Sequence, residues 1–480
     1  MAQLQLKLLS SDDVNQIHKT SVRILEKTGM KIPSEDVLGL LEGREGVAVN
    51  RDRQVATFTE GAIETALRQA PRRFGVFGRD GTKSAEYGGE GFVAQAIPGE
   101  VFWVDPVNRT RRGPTWEDFE RCVLVADALP EIDIVGAMVQ PTMTPASVRD
   151  VHLYSGLLKR TRKPVRCWVH NRMSARYVVE LFKTVSGGSS ELRKHPLADF
   201  GLEPVSPLQF SRDSLEGALE FAQAGLPITL GPMPLAMATS PVTLAGSVAL
   251  GNAETLGALV IIETLAPGTA VVYFNSPHIM DPRTMNLVFS SPEQVLMSVA
   301  SAELGRHYGL PVGVNVGLTD SKVPDAQAGY EKGITMVLGA LTGASSIGGM
   351  GIAGCDQGFS LPQLIIDNEI IGFVRRVVQG MGINRETCAA EVVERVGIGG
   401  SYMTEDHTLD HWRQEFWIPM LTDRLAWDAW LNRGGRSLLD RAVEEQNRLL
   451  ANHTLEWLDE PTARELDSIV AAAEREILGN

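Results

Sequence analysis

The sequence predicts an α/β protein built on a (β/α)8 barrel, and three observations lead there. Seven short apolar runs begin near Asp133 (DIVGAMVQ), Pro164 (PVRCWVHN), Leu197 (LADFGLEP), Pro227 (PITLGPMP), Thr269 (TAVVYFNSP), Pro311 and Ser345. Their starts lie 31, 33, 30, 42, 42 and 34 residues apart, a spacing that fits a strand, a helix and two loops. The alternative, a doubly wound sheet, asks for a glycine fingerprint; the first βα turn has no GxGxxG and the chain has no Walker loop. An eighth strand is expected after Gly380.

The elements follow in order. Ser10 or Ser11 caps a first helix with the stripe Val14, Ile17, Val22, Ile24 and Leu25, which ends at Gly29. Further helices start near Ser34 and Thr59. Residues 75 to 112 are glycine-rich and alternating (GEGFVAQAIPGEVFWVDPVNRTRRG), which predicts a small antiparallel sheet. Thr115 caps the helix WEDFERCVLVADAL, and the repeating theme begins. The clearest unit runs from Pro311 to Gly354: an apolar run to Val316, a polar loop through Asp320, then a helix striped by Ile334, Val337, Leu338 and Leu341. The expected organisation is residues 1–125 as helices and a small sheet packed on the barrel, 126–400 as the barrel, and 401–480 as a helical extension.

Composition narrows the function classes. The 480 residues are 44% hydrophobic and 22% charged with a formal charge of −14, an ordinary globular balance that disfavours nucleic acid. Four scattered cysteines (Cys122, Cys167, Cys355, Cys388) form no CxxC and read as reduced thiols. The N-terminus shows no signal-peptide pattern, and the longest apolar stretches are interrupted by Glu254 and Glu263. A cytoplasmic protein with no membrane span is expected.

Chemistry in barrels sits at the C-terminal strand ends. Those ends carry Gln140, then Trp168, His170 and Asn171, then Glu203, then Pro232 and Met233, then Phe274, Asn275 and His278, and finally Asn315 with Asp320. From this set the expected substrate-binding residues are Asn315, Glu203, His170, Asn171, Trp168, Phe274, Asn275 and Asp320. Amides, aromatic faces and carboxylates with little positive charge suit a small cationic ligand better than a phosphate. Ordinary core packing of Trp168 and Phe274 is the competing reading. A weak metal candidate is the i, i+4, i+8 stripe His407, His411 and Glu415; it would support a metal-dependent hydrolase. No bound nucleotide, flavin, iron–sulfur cluster or other cofactor is expected in this chain.

Five stretches resemble the trimethylamine methyltransferase family: IHKTSVRILEKTGMKI, ALRQAPRRFGVFGRDG, TDSKVPDAQAGYEK, QLIIDNEIIGFVRR and HTLDHWRQEFWIPMLTDR. They occur in the family's order from Ile17 to Arg424. The resemblance implies a (β/α)8 barrel with helical additions. It also implies transfer of a methyl group from an amine to the cobalt of a corrinoid (cobalamin) carried by a separate corrinoid-binding protein. The archaeal trimethylamine enzymes hold pyrrolysine in the barrel, whereas this chain has only standard residues; relatives of that kind include demethylases of quaternary amines such as glycine betaine. The resemblance therefore implies a small quaternary amine as substrate. Trimethylamine handled without pyrrolysine, or a non-catalytic betaine-binding barrel, are the alternatives. A homo-oligomer is expected.

Overall fold

In the computed structural model, which describes residues 4–479, eight parallel strands close on themselves. They are β1 (Val93–Ala96), β2 (Val135–Gly136), β3 (Val165–Cys167), β4 (Ala198–Leu202), β5 (Ile228–Leu230), β6 (Val271–Tyr273), β7 (Gly313–Val314) and β8 (Ser346–Met350). Strands β2 to β6 pair in sequence, with Val165 opposite both Val135 and Ala198, Phe200 opposite Ile228, and Ile228 opposite Val271. Strand β7 pairs with β8 and β8 with β1. Parallel bridges from Tyr273 to Val312 and from Gln95 to Ile134 complete the circle. Each of the seven expected runs contains a strand that starts within two residues of the expected place.

The eighth strand corrects the expectation. It is Val93–Ala96, inside the segment assigned to the N-terminal extension, while the chain beyond Gly380 is helical. The cause is local context. The glycine-rich stretch does contain an antiparallel pair, Trp103–Asp105 with Thr110–Arg112, and Val93–Ala96 shares its texture. Yet all four residues of β1 are buried, the mark of a strand covered on both faces.

A helix follows every barrel strand: α2 (Trp116–Ala128), α3 (Ala146–Arg160), α4 (Arg172–Val185), α5 (Arg212–Ala224), α6 (Leu244–Leu265), α7 (Pro292–His307), α8 (Ala326–Leu341) and α9 (Leu361–Gln379). Ahead of them, α1 (Ser11–Lys27) starts at Ser10 with a capping box and buries Val14, Ile17, Val22 and Leu25. It packs on α6, the one helix of the described residues long and apolar enough to cross a membrane; 89% of its apolar window is buried inside the protein. The hairpin of Phe74–Phe77 and Lys83–Tyr87 plugs the N-terminal end of the barrel, where Val76, Ala85 and Tyr87 cluster with Val93, Ile134 and Val272. After α10 (Asp406–Glu415), helices α11 (Leu438–Asn452) and α12 (Glu460–Leu478) return along the outside. There α11 lies against α9 and α2, and α12 against α3 and α4.

Candidate active site at the strand ends

Strand alternation decides what faces the barrel axis. Val314 and Val316 pack outward against Gly339 of α8, so Gly313 and Asn315 face inward. A Cβ on Gly313 would lie 2.3 Å from Phe274 Cδ2, and one on Gly231 3.4 Å from Phe274 Cδ1 and 3.8 Å from Glu203 Cγ. Phe274 therefore lies across the barrel between two glycines that make room for its ring, with Glu203 beside it. Asn315 is partly buried, and its side chain makes no hydrogen bond among the described residues; only its carbonyl is used, accepting from Gln294 Nε2 at 2.7 Å.

Glu203 likewise has no hydrogen-bond partner among the described residues. Burial pushes its carboxyl up to about 7; Arg166 opposes the shift and Asp356 adds to it. One layer deeper, Arg166 holds Asp199 and donates to Thr229 Oγ1 at 2.7 Å, and Thr229 donates to Asp199 at 3.0 Å. This network keeps the arginine engaged below the mouth.

Beside that axis opens a cleft of about 200 Å³, lined by residues that include Glu100, Gln140, Asp150, Tyr154, Trp168, His170 and Asp356. Trp168 is 39% exposed at the rim, and Tyr154 of α3 braces its backbone, accepting from Trp168 N at 2.6 Å and donating to Trp168 O at 3.0 Å. His170 Nδ1 lies 3.0 Å from Asp150 Oδ1, and that bond raises the imidazole above its usual range. Among the described residues, no lysine or arginine lines the cleft wall. The wall is thus acidic and edged by one indole, suited to a small cation.

Three of its acids escaped the sequence reading: Asp150 of α3, Glu100 and Asp356. Glu100 follows β1 and is 4% exposed. Asp356 follows β8 on a loop where Cys355 and Asp356 both take positive φ, 56° and 60°. The segment that had read as small sheet supplies Glu100, and the end of β8, where no site residue was expected, supplies Asp356. Recognising VAQAIPGE as a barrel strand would have found Glu100; Asp356 needs the geometry of the loop.

Of the expected site residues, Trp168 and His170 line the cleft and Glu203, Phe274 and Asn315 face the barrel axis. Three are spent elsewhere, which corrects their assignment. Asn171 caps α4, accepting from Ser174 N at 2.8 Å. Asn275 turns outward and donates to Val248 O of α6 at 3.1 Å. Asp320 accepts from Phe289 N and Ser290 N at 3.0 and 3.2 Å. His278, fully buried, bonds Ser276 O at 2.9 Å, and burial pushes its ring down to about 4.

The metal stripe does not assemble either. His407 and His411 turn toward Glu386, at 3.3 Å from its carbonyl and 3.4 Å from its carboxylate, while Glu415 lies 3.6 Å from Arg376. Among the described residues no three His, Cys, Asp or Glu side chains gather as metal ligands do.

A family model described as trimethylamine methyltransferase matches residues 2–478. A trimethylamine methyltransferase of Desulfitobacterium hafniense (strain DCB-2) is 34% identical across 97% of this chain and 94% of its own length. A glycine betaine methyltransferase of Desulfitobacterium hafniense (strain Y51) is 30% identical across 98% of each. The crystal structure of the Methanosarcina barkeri monomethylamine methyltransferase aligns over 93% of both chains, with a TM-score of 0.49 and 11% identity.

Proposed function

The chain belongs to the trimethylamine methyltransferase family, and we propose that it is an enzyme moving a methyl group from a quaternary amine, glycine betaine or a similar betaine, to the Co(I) corrinoid of a partner protein. The observation that supports a permanent ammonium is the cleft wall: Trp168 with Glu100, Asp150 and Asp356, and among the described residues no lysine or arginine. A permanent ammonium gains from an aromatic face and from carboxylates.

The chemistry asks little acid–base work of the protein. When the methyl carbon is displaced, the C–N electron pair stays on nitrogen and a neutral dimethylamino product leaves, so no proton has to be supplied. The corrinoid supplies the Co(I) nucleophile when the partner is docked. A cleft of about 200 Å³ is smaller than the ~300–1,000 Å³ typical of drug-sized ligands and cofactors; it suits a small amine and would not enclose a corrinoid macrocycle. The residues of this chain then position: Trp168 and the acids hold the ammonium, and Phe274, Glu203 and Asn315 restrain what reaches the axis. Water excluded by these side chains would otherwise stabilise the charged reactant more than the dispersed transition state.

The reading takes the protein as a homo-oligomer. Tyr330, Ile334 and Phe373 are each more than half exposed and, with Trp417, border an apolar groove between α8 and α9, a face suited to contact between copies.

The test is spectroscopic. The purified chain is mixed with Co(I) cobalamin and, separately, with glycine betaine, carnitine, choline and trimethylamine, and alkylation of the cobalt is followed by absorbance. Alkylation by a quaternary amine is expected. Alkylation by trimethylamine alone would replace the substrate, and binding of a betaine with no alkylation, partner protein included, would make the barrel a binding protein.

A further inference from the structure

We propose that Glu100 and Asp356 share one proton in the empty cleft and surrender it to solvent when a permanent cation enters, so that amine binding is coupled to proton release. The proposal rests on reading the cleft as an ammonium site.

The geometry begins with Glu100. It is 4% exposed, and no donor of the described residues reaches its Oε2. The group in hydrogen-bond contact with its carboxyl is another carboxyl, that of Asp356. Two carboxylates cannot hydrogen-bond without a proton between them, and bare like charges at that range repel strongly. Both residues line the same cleft. Asp356 reaches it from a backbone turned left-handed at two consecutive non-glycine residues, a costly conformation held by bonds from Gly354 N to Ser321 O at 2.7 Å and from Cys355 N to Thr319 O at 3.0 Å. The loop is thus fastened where it presents the second acid.

The charges around the pair do not dissolve it. Lys332 acts on Glu100, but its ammonium is already held by Asp367 at 2.9 Å and Gly317 O at 2.7 Å. Glu203 faces Asp356 from the barrel axis, and the aspartate adds to the upward shift of the Glu203 carboxyl. Across the cleft His170 is paired with Asp150. Burial, with the partner acid, holds the Glu100 carboxyl well above the ordinary carboxylate range; burial also raises Asp356.

An ammonium carrying N-methyl groups has no N–H to donate, so it cannot bond either acid; it can only favour their ionised form. Its arrival lowers the affinity of the pair for the shared proton, which passes to buffer, and two carboxylates then face one cation. By linkage, binding tightens as pH rises through the range in which the free pair is protonated, with a limit of about tenfold per pH unit for one proton. A neutral isostere lacks the charge that expels the proton.

Titration calorimetry on the full chain tests this. Tetramethylammonium, glycine betaine and choline are titrated near pH 7 in buffers of different ionisation enthalpy, with 3,3-dimethylbutan-1-ol as the uncharged counterpart of choline. The expected result is a buffer-dependent heat reporting proton release with the cations and none with the alcohol, lost in Glu100→Gln and in Asp356→Asn but kept in Glu263→Gln, a buried acid of α6 outside the cleft. Either of the first two variants suffices if the other fails to fold. Cation binding with buffer-independent heat overturns the proton coupling and leaves the proposed function standing. Release that disappears in Glu203→Gln and persists in Glu100→Gln overturns the assignment to this pair. Failure of every cation to bind overturns both readings.

Discussion

Glu254 sits fully buried in the most apolar helix of the protein, where its carboxylate accepts from Ser206 Oγ and Leu208 N, each at 2.7 Å. Burial pushes its carboxyl up to about 7, and Glu203 and Glu263 are pushed to about the same value. The sign follows from linkage: between the ordinary glutamate range and pH 7 the native chain holds protons the unfolded chain has lost, so stability falls as pH rises through that window. Thermal unfolding from pH 5 to 8 should therefore show a declining midpoint, flattened in Glu254→Gln; a rising midpoint over that window would contradict the burial of these acids. Asn315 poses the opposite case, an inward amide with no partner among the described residues. Replacing Asn315 by Ala should lower methyl transfer about tenfold, ~1.4 kcal/mol at the transition state, with little change in unfolding. Full turnover in that variant would make the residue a bystander. Asn315 was legible in the sequence because it is the polar member of an apolar strand. Asp320 carried the same kind of signal and is spent on two backbone N–H groups; sequence does not distinguish a loop acid that binds ligand from one that binds its own loop.

Strands β2 to β8 were legible because each is a short apolar run bounded by turn residues and followed by a helix. Ahead of them the helix caps could be read one by one: Ser10, Ser34, Thr59 and Thr115 each accept from a backbone N–H three residues on. Strand β1 was hidden by its neighbours, since the hairpin after it is antiparallel and the same glycines punctuate both. Glycine has a different use in β7, where Gly313 gives way to the ring of Phe274. Gly313→Ala should overpack this layer and cost about 1–3 kcal/mol, measurable by urea unfolding, and should raise the KM for the amine as Phe274 shifts. A neutral effect on both would place the ring elsewhere.

For the molecule as a whole, closure through β1 means that the barrel cannot be separated from its N-terminal segment. A chain shortened to begin at residue 126 loses the strand between β8 and β2 and the hairpin that plugs the barrel floor. It exposes two strand edges and should fail to unfold cooperatively, by calorimetry, or should aggregate. A cooperative transition at the full-length temperature would contradict closure. The apolar face between α8 and α9 predicts more than one copy in solution by light scattering, with Phe373→Asp shifting the mass downward. The central claim, that the barrel removes one methyl from a quaternary nitrogen, is tested most directly by a single turnover. Glycine betaine carrying 13C in its N-methyl groups is incubated with the chain and Co(I) cobalamin, and the products are read by NMR. The account predicts dimethylglycine and cobalt-bound methyl in equal amounts. Intact betaine, or release of trimethylamine by cleavage of the other C–N bond, would contradict it.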